Sequence, residues 1–365
     1  MASNQSPGRG LDIGTAYIVS ARSDETKATT KISSVRDCFL SLPLDQAPAL
    51  DISGVEYIEG AESVFVVGNE AVNLVGVLGG DLRRPLSKGF VSPKEEDGKE
   101  ILRLILQQIL GTPATKGELV AFSVPGPIFD QDSSVSPTAL RDTALTFHTN
   151  FFKNLITELG YTAKPLNEAV AICYNETVNP KKKEELPLTG LSLSFGAGTT
   201  NIALTYKSLP VKTFALPFGG DFVDQMAAKA TDSTISHITL LKERGVDLIT
   251  GRVMSKGEFD DTQTERQAEA ISLAYSDLLS KLINATNKFF AFNENRVEIP
   301  ETIPVILSGG TTKSPNFLKL FNQIFMQQLD VRFKVSEARV SAIPLDATAS
   351  GCLNFVRILQ QKKGK

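Results

Sequence analysis

The chain repeats itself once, and that constrains its fold more than any other feature. A strand, a glycine turn and a second strand occur at Asp12 to Ala21 and again at Ser194 to Tyr206. An apolar strand stopped by a tight loop occurs as VAFSVPG and as PVILSGG, and a helix start rich in small residues as PLNEAVA and as PLDATAS. Order and spacing agree: Asp12 to Glu168 spans 156 positions and Ser194 to Asp346 spans 152. Short apolar motifs also match by chance, but a shared order favours two lobes of one topology, each offering a glycine hairpin and a helix start to a central cleft.

Between these landmarks strands and helices alternate. In LDIGTAYIVSA, Ile13, Tyr17, Ile18 and Val19 are strand formers around Gly14. EILRLILQQIL has helical apolar spacing after an acidic first turn, and GELVAFSVPGP is a buried strand halted by Pro125, Gly126 and Pro127. TNFFKNLITELGY reads as a helix closed by Gly160, and NEAVAICY begins another apolar segment. Ala268 to Phe292 is the longest helix expected, and in SPNFLKLFNQIFMQQL Ser314 is the expected N-cap with Pro315 at the first helical position. Such alternation predicts an α/β fold with mainly buried sheets.

Composition narrows the function. With 365 residues, 42% of them hydrophobic, the chain is long enough for two lobes. The net charge is −3 and Lys and Arg are spread along the chain, so the basic stripe that nucleic acid requires is not expected. Cys38, Cys173 and Cys352 form no CxxC pair, which argues for reduced thiols in a cytoplasmic protein rather than a disulfide framework or zinc site. His148 and His237 offer little for a metal or nucleophile constellation and are read as ordinary packed or surface histidines. The start MASNQSPGRG lacks a signal-peptide core, and no run approaches ~20 apolar residues. The charged NPKKKEELP at Asn179 to Pro187 reads as an exposed loop between lobes.

In LSLSFGAGTT an apolar run turns into a Gly-x-Gly-Thr-Thr loop suited to wrapping a phosphate. With its neighbours it resembles the actin-like ATPase superfamily, which includes actin, DnaK-type chaperones and sugar kinases. GLDIGTAYIVSA resembles the first phosphate loop, LSLSFGAGTTNIALTY the second, and PVILSGGTTKSPNFLKLF the adenosine loop with its helix. PLNEAVAICYNE and IPLDATASGCLNF resemble the two connecting segments, and all five stand in the family's order over nearly the whole chain. The resemblance implies a duplicated ribonuclease-H-like fold, two lobes around a nucleotide cleft, with ATP or GTP and Mg²⁺ as cofactors. Lobe I would take residues 1–185 and 346–365 with a small upper part at about 36–80, and lobe II residues 186–345 with an upper part at about 221–290.

Residue roles follow from it. The amides of Gly14, Thr15 and Ala16 would face the phosphates, with the Thr15 hydroxyl a further donor. Asp12 would hold hydrated Mg²⁺ through water, unless it only caps the turn. Gly196, Ala197 and Gly198 would bring backbone donors from the second lobe; Thr199 and Thr200 either add hydroxyls or are there for β-propensity. Ser308, Gly309, Gly310 and Thr311 would pass under the adenine and ribose. Glu168 would orient the attacking water, the alternative being an acid placed in a helix's first turn. Gly219, Gly220 and Asp221 resemble the entry to the upper second lobe, and Lys242 the lysine that approaches ribose and base; a solvated helix lysine is the competing reading, since Thr239 stands where the family has an acid.

Ser194 stands where most relatives carry aspartate, so slow or altered hydrolysis with retained binding is expected. The chain ends at Lys365, leaving no peptide-binding module expected, and no base for a kinase acceptor is visible. VFVVGNEAVNL followed by RRPLSKGFV and a helix is most similar to prokaryotic actins of the MreB and magnetosome-filament type, which implies head-to-tail self-assembly. A non-polymerising scaffold of FtsA or pilus-assembly type is the alternative. No clear membrane anchor is expected.

Overall fold

The computed structural model describes residues 8–24, 29–92, 95, 97–130, 143–177, 187–255 and 261–363. The polar start through Pro7 and the charged run at 179–187, apart from Pro187, lie outside them. The chain forms two compact units: Met1–Val124 with Thr143–Asn175 and Thr348–Lys365, and Pro125–Asp142 with Glu176–Ala347.

Each unit is built on a five-stranded sheet, and the two sheets have one strand order. In the first unit it runs Thr162–Asn167, Leu119–Val124, Arg9–Ile13, Tyr17–Asp24, Thr29–Arg36. In the second it runs Val335–Val340, Ile303–Ser308, Gly190–Phe195, Thr200–Tyr206, Leu209–Leu216. In both, the first three strands are parallel and the last three antiparallel. The duplicated α/β topology expected from the repeat is therefore present. One register detail differs, because the two connecting helices start at Glu168 and Ala347. The acid of the first repeat thus corresponds to an alanine in the second.

The first unit's main core joins Leu11, Ile13, Val120 and Phe122 to the helices Gly98–Leu110 and Thr143–Glu158. Gly10 on its sheet and Gly351 in the helix Ala347–Lys363 permit close helix contact. A Cβ on Gly10 would lie 2.0 Å from the Ala349 carbonyl oxygen, and one on Gly351 1.8 Å from that of Ala171. A smaller four-stranded sheet, Tyr57–Glu59, Ser63–Val67, Phe39–Pro43 and Leu82–Arg83, has its own core of Leu40, Leu42, Leu50, Val64 and Val66. His148 is fully buried between Phe90 and Phe152, where burial lowers its pKa to about 4. His237 is exposed, and all three cysteines are buried and free.

The second unit is rich in aromatic packing, with Phe214 stacked on Phe289 at 4.0 Å and Phe129 edge-on to both. Ile128 bridges to Ala215 and Phe129 joins this core, so residues from Pro125 group with the second unit. The long helix spans Thr262–Ala291, six residues earlier than its apolar periodicity suggests, because Asp261 caps it with Thr264 in a reciprocal box. Ser314 is not an N-cap. Its hydroxyl pairs with Tyr275 Oη at 2.7 Å, a 3₁₀ turn fills Gly310–Lys313, and the helix begins at Phe317.

Candidate functional site

In each unit the parallel strands end at a tight glycine turn, and the two turns are closed by the same bond. Gly14 N–H donates to Tyr17 O and Gly196 N–H to Thr199 O, both at 3.0 Å. The amides of these two glycines are thereby paired inside their own turns. Among the described residues the amides of Thr15, Ala16, Ala197 and Gly198 have no partner within the chain.

The threonines sort by what their hydroxyls accept. Thr15 Oγ1 accepts from Gly89 N–H at 3.1 Å and Thr199 Oγ1 from Asn201 Nδ2 at 3.1 Å, so each keeps its own proton to donate. Thr200 instead donates to the Phe218 carbonyl at 3.0 Å, which spends its hydroxyl inside the fold.

The charge of the first unit lies beside its turn. Asp12 Oδ1 accepts from Ser123 Oγ at 2.8 Å, and burial pushes its pKa up to about 6 against that bond. Glu168 begins the helix Glu168–Thr177, whose first turn is capped by Asn167 Oδ1 accepting from Ala169 and Val170 N–H. Glu168 is only 7% exposed; burial raises its pKa well above the usual carboxylate range and the Asp12 charge raises it further. The buried Cys352 thiol feels both acids and is itself driven up, first by burial and then by Asp12. Two buried acids whose charged forms resist each other fit a cation, which relieves both desolvation and repulsion. Among the described residues no group of three Cys, His, Asp or Glu is placed to hold a metal ion. Asp12 and Glu168 are acids whose buried, like-charged setting suits a hydrated divalent ion held through its waters.

The second unit's turn carries no acid at the equivalent place. Ser194 is buried and pairs in register with Ser308 and Asn201. The turn is instead wrapped in backbone contacts: Gly220 N–H donates to Gly196 O and Asp221 N–H to Ala197 O, both at 2.9 Å, and Thr311 Oγ1 donates to Gly196 O at 3.0 Å. Gly219 is required there, since a Cβ would fall 2.4 Å from Gly196 O. Gly309, at φ +97°, lies against the Phe195 backbone, where a Cβ would come within 2.2 Å of its carbonyl oxygen. Ser308 Oγ donates to Pro344 O at 2.9 Å, and Gly310 faces Leu345.

Lys242 is neither solvated nor free. Its side chain is 13% exposed, with Nζ 2.8 Å from the Asp224 carboxylate and 3.2 Å from Gly220 O. Thr239 Oγ1 donates to the same carboxylate at 2.9 Å. Asp224, on the Gly220–Thr231 helix, supplies the acid that the lysine's own helix lacks at Thr239. Sequence reasoning missed Asp224, Ser123, Asn167 and Asn201. For Asn167 the signal was visible, a cap residue just before an apolar helix.

No helix among the described residues is long and apolar enough to cross a membrane. No curated protein matches the sequence. Among solved structures the fold is similar to MamK in a double helical filament, with TM-score 0.63 and 16% identity over 96% of this chain and 98% of that one. It is similar to MreB5 of Spiroplasma citri bound to ADP, with TM-score 0.63 and 17% identity over 98% of each chain. The ethanolamine utilization protein EutJ from Carboxydothermus hydrogenoformans gives 0.53 and 16% over 95% of this chain and 89% of that one. At these identities the likeness concerns the fold, which is that of the actin-like ATPases. The sequence match reaches further: the family described as Volactin covers residues 8–355, and with the repeated turns and sheets falling inside that span, the chain belongs to the Volactin family.

Proposed function

We propose that this protein is an actin-like filament protein whose assembly is controlled by ATP or GTP with Mg²⁺, and whose hydrolysis is slow. The observation that carries the reading is the matched pair of glycine turns, each with unpaired amides and a threonine hydroxyl, only the first with an acid at its strand end. Amide clusters of this kind suit phosphate oxygens. In the first unit the amides of Thr15 and Ala16 with the Thr15 hydroxyl, and in the second, taken by itself, those of Ala197 and Gly198 with the Thr199 hydroxyl, are each proposed as a phosphate-binding turn. A bound Mg²⁺ supplies positive charge to the phosphates and to the acids.

Asp12 is assigned to that ion's water shell and Glu168 to the water that attacks the terminal phosphate. Ser194 withholds a second carboxylate, which is why hydrolysis is proposed to be slow while binding persists. Self-association is supported by the likeness to MamK in its double helical filament, and nucleotide binding by that to MreB5 bound to ADP; a heterologous head-to-tail contact that does not close produces a polymer.

Pelleting with negative-stain imaging, run with ATP, ADP and a non-hydrolysable analogue while phosphate release is followed, tests the reading. Filaments that form with the analogue and release little phosphate with ATP are expected. Nucleotide binding without a pellet would replace the filament with a monomeric scaffold, and no binding at all would remove the nucleotide.

A further inference from the structure

Ser123 is fully buried near the end of Leu119–Val124, the parallel neighbour of the Asp12 strand. Its oxygen accepts the Ile13 amide at 2.8 Å, and its proton is directed to Asp12 Oδ1, also at 2.8 Å. A hydroxyl has one proton, so this donation fixes Asp12 Oδ1 as a committed acceptor and stops the carboxylate from turning. Oδ2 keeps its lone pairs for another partner.

The second repeat serves as an internal comparison. Ser308 ends the equivalent strand and pairs in register with Ser194. There is no acid beside it, and its hydroxyl turns to the Pro344 carbonyl instead. Both repeats carry a serine near the end of this strand; only where an acid stands next to it does the proton go to a carboxylate.

We propose that Ser123 is a positioning residue for the cation-binding acid: it presents one chosen oxygen of Asp12 to the water shell of the divalent ion that accompanies the nucleotide. This rests on the nucleotide reading above. A purely structural serine would be needed only as acceptor for the Ile13 amide, and its loss would lower stability without changing how the protein responds to Mg²⁺.

The test is a titration of a fluorescent ATP analogue against the full chain, first in EDTA and then across a Mg²⁺ series, for wild type, Ser123→Ala and Ser123→Thr. Ser123→Ala is expected to raise the Mg²⁺ concentration for half-maximal effect by ~10-fold or more, as loss of outer-shell partners commonly does, while affinity in EDTA stays put. Ser123→Thr, which keeps the hydroxyl, is expected to restore the wild-type value. An unchanged Mg²⁺ response in Ser123→Ala, or an equal loss of affinity with and without Mg²⁺, overturns the positioning role while leaving the nucleotide reading intact. Wild type without Mg²⁺-dependent binding overturns both. Should Ser123→Ala not fold, Ser123→Cys, with a weaker donor, decides by the same shift or its absence.

Discussion

The two glycine turns are built alike and equipped differently. Both follow a buried strand, both are closed by an i to i+3 amide bond, and both hold a threonine oxygen as acceptor so that its proton is free. The first has Asp12 at its strand end and Glu168 nearby; at the equivalent places the second has Ser194 and Ala347. The backbone geometry of the turn is thus the same in both halves, while the acids at the strand end and at the helix start stand in the first only. Neutral donors suit an anion; a carboxylate at the strand end adds a place for a cation. Each half's equipment is open to a direct test.

Packing beneath the acidic half comes first because it gives the largest effect. Gly351→Ala would press a methyl to within 1.8 Å of the Ala171 carbonyl oxygen, on the helix that begins with Glu168. The backbone cannot give way cheaply, so a loss of about 3 kcal/mol is expected by chemical denaturation, more than the helix propensity gained by removing glycine. If the variant were as stable as wild type, the two connecting helices would not be as closely packed as described.

Charge is next. Asp12→Asn is expected to lower Mg²⁺-dependent nucleotide turnover ~100-fold, about 2.7 kcal/mol, whereas Ser194→Ala changes it less than about threefold. Equal losses in the two variants would erase the asymmetry between the halves. The reciprocal change, Ser194→Asp, is expected to raise phosphate release ~10-fold. Turnover in wild type matching that of Ser194→Asp would mean that the missing carboxylate limits nothing.

A smaller effect concerns Asp37, whose amide donates to the Ala16 carbonyl of the first turn at 3.0 Å. Its side chain is fully buried, neither carboxylate oxygen has a hydrogen-bond partner among the described residues, and burial raises its pKa well above normal despite the Arg84 charge. The folded protein therefore holds this proton more tightly than the unfolded chain. Stability from this group is present at low pH and declines as pH rises above the unfolded value of about 4. Asp37→Asn is expected to stabilise by about 1 kcal/mol at pH 8 and by less at pH 5, read from thermal unfolding. Equal shifts at both pH values would show that Asp37 is not a proton-linked cost.

Much of this was legible in the residues. The repeated strand, glycine turn and strand could be placed because β-branched and aromatic residues flank a glycine in both halves, and the parallel strands because apolar runs stop at VPGP and LSGG. Hydrogen-bond commitments were not legible. Gly14 and Thr200 look like ligand donors in a motif, yet Tyr17 and Phe218 accept from them. Lys242 looked solvated because its acid lies eighteen positions away on another helix. Ser314 looked like a cap because Pro315 follows it, but Tyr275 offered its hydroxyl a buried partner.

The linear order of residues determined what local physics can carry: the α/β alternation, the duplication, and the acidic and neutral characters of the two strand ends, all of which depend on side-chain type and period. Tertiary structure decided which donors remain available, how far burial moves Asp12 and Glu168, and which serine proton reaches a carboxylate. Those properties depend on residues more than a hundred positions apart meeting within 3 Å, as Asp12 and Ser123 do at 2.8 Å. No pattern along the chain encodes such a distance; it is set only when the strands pair.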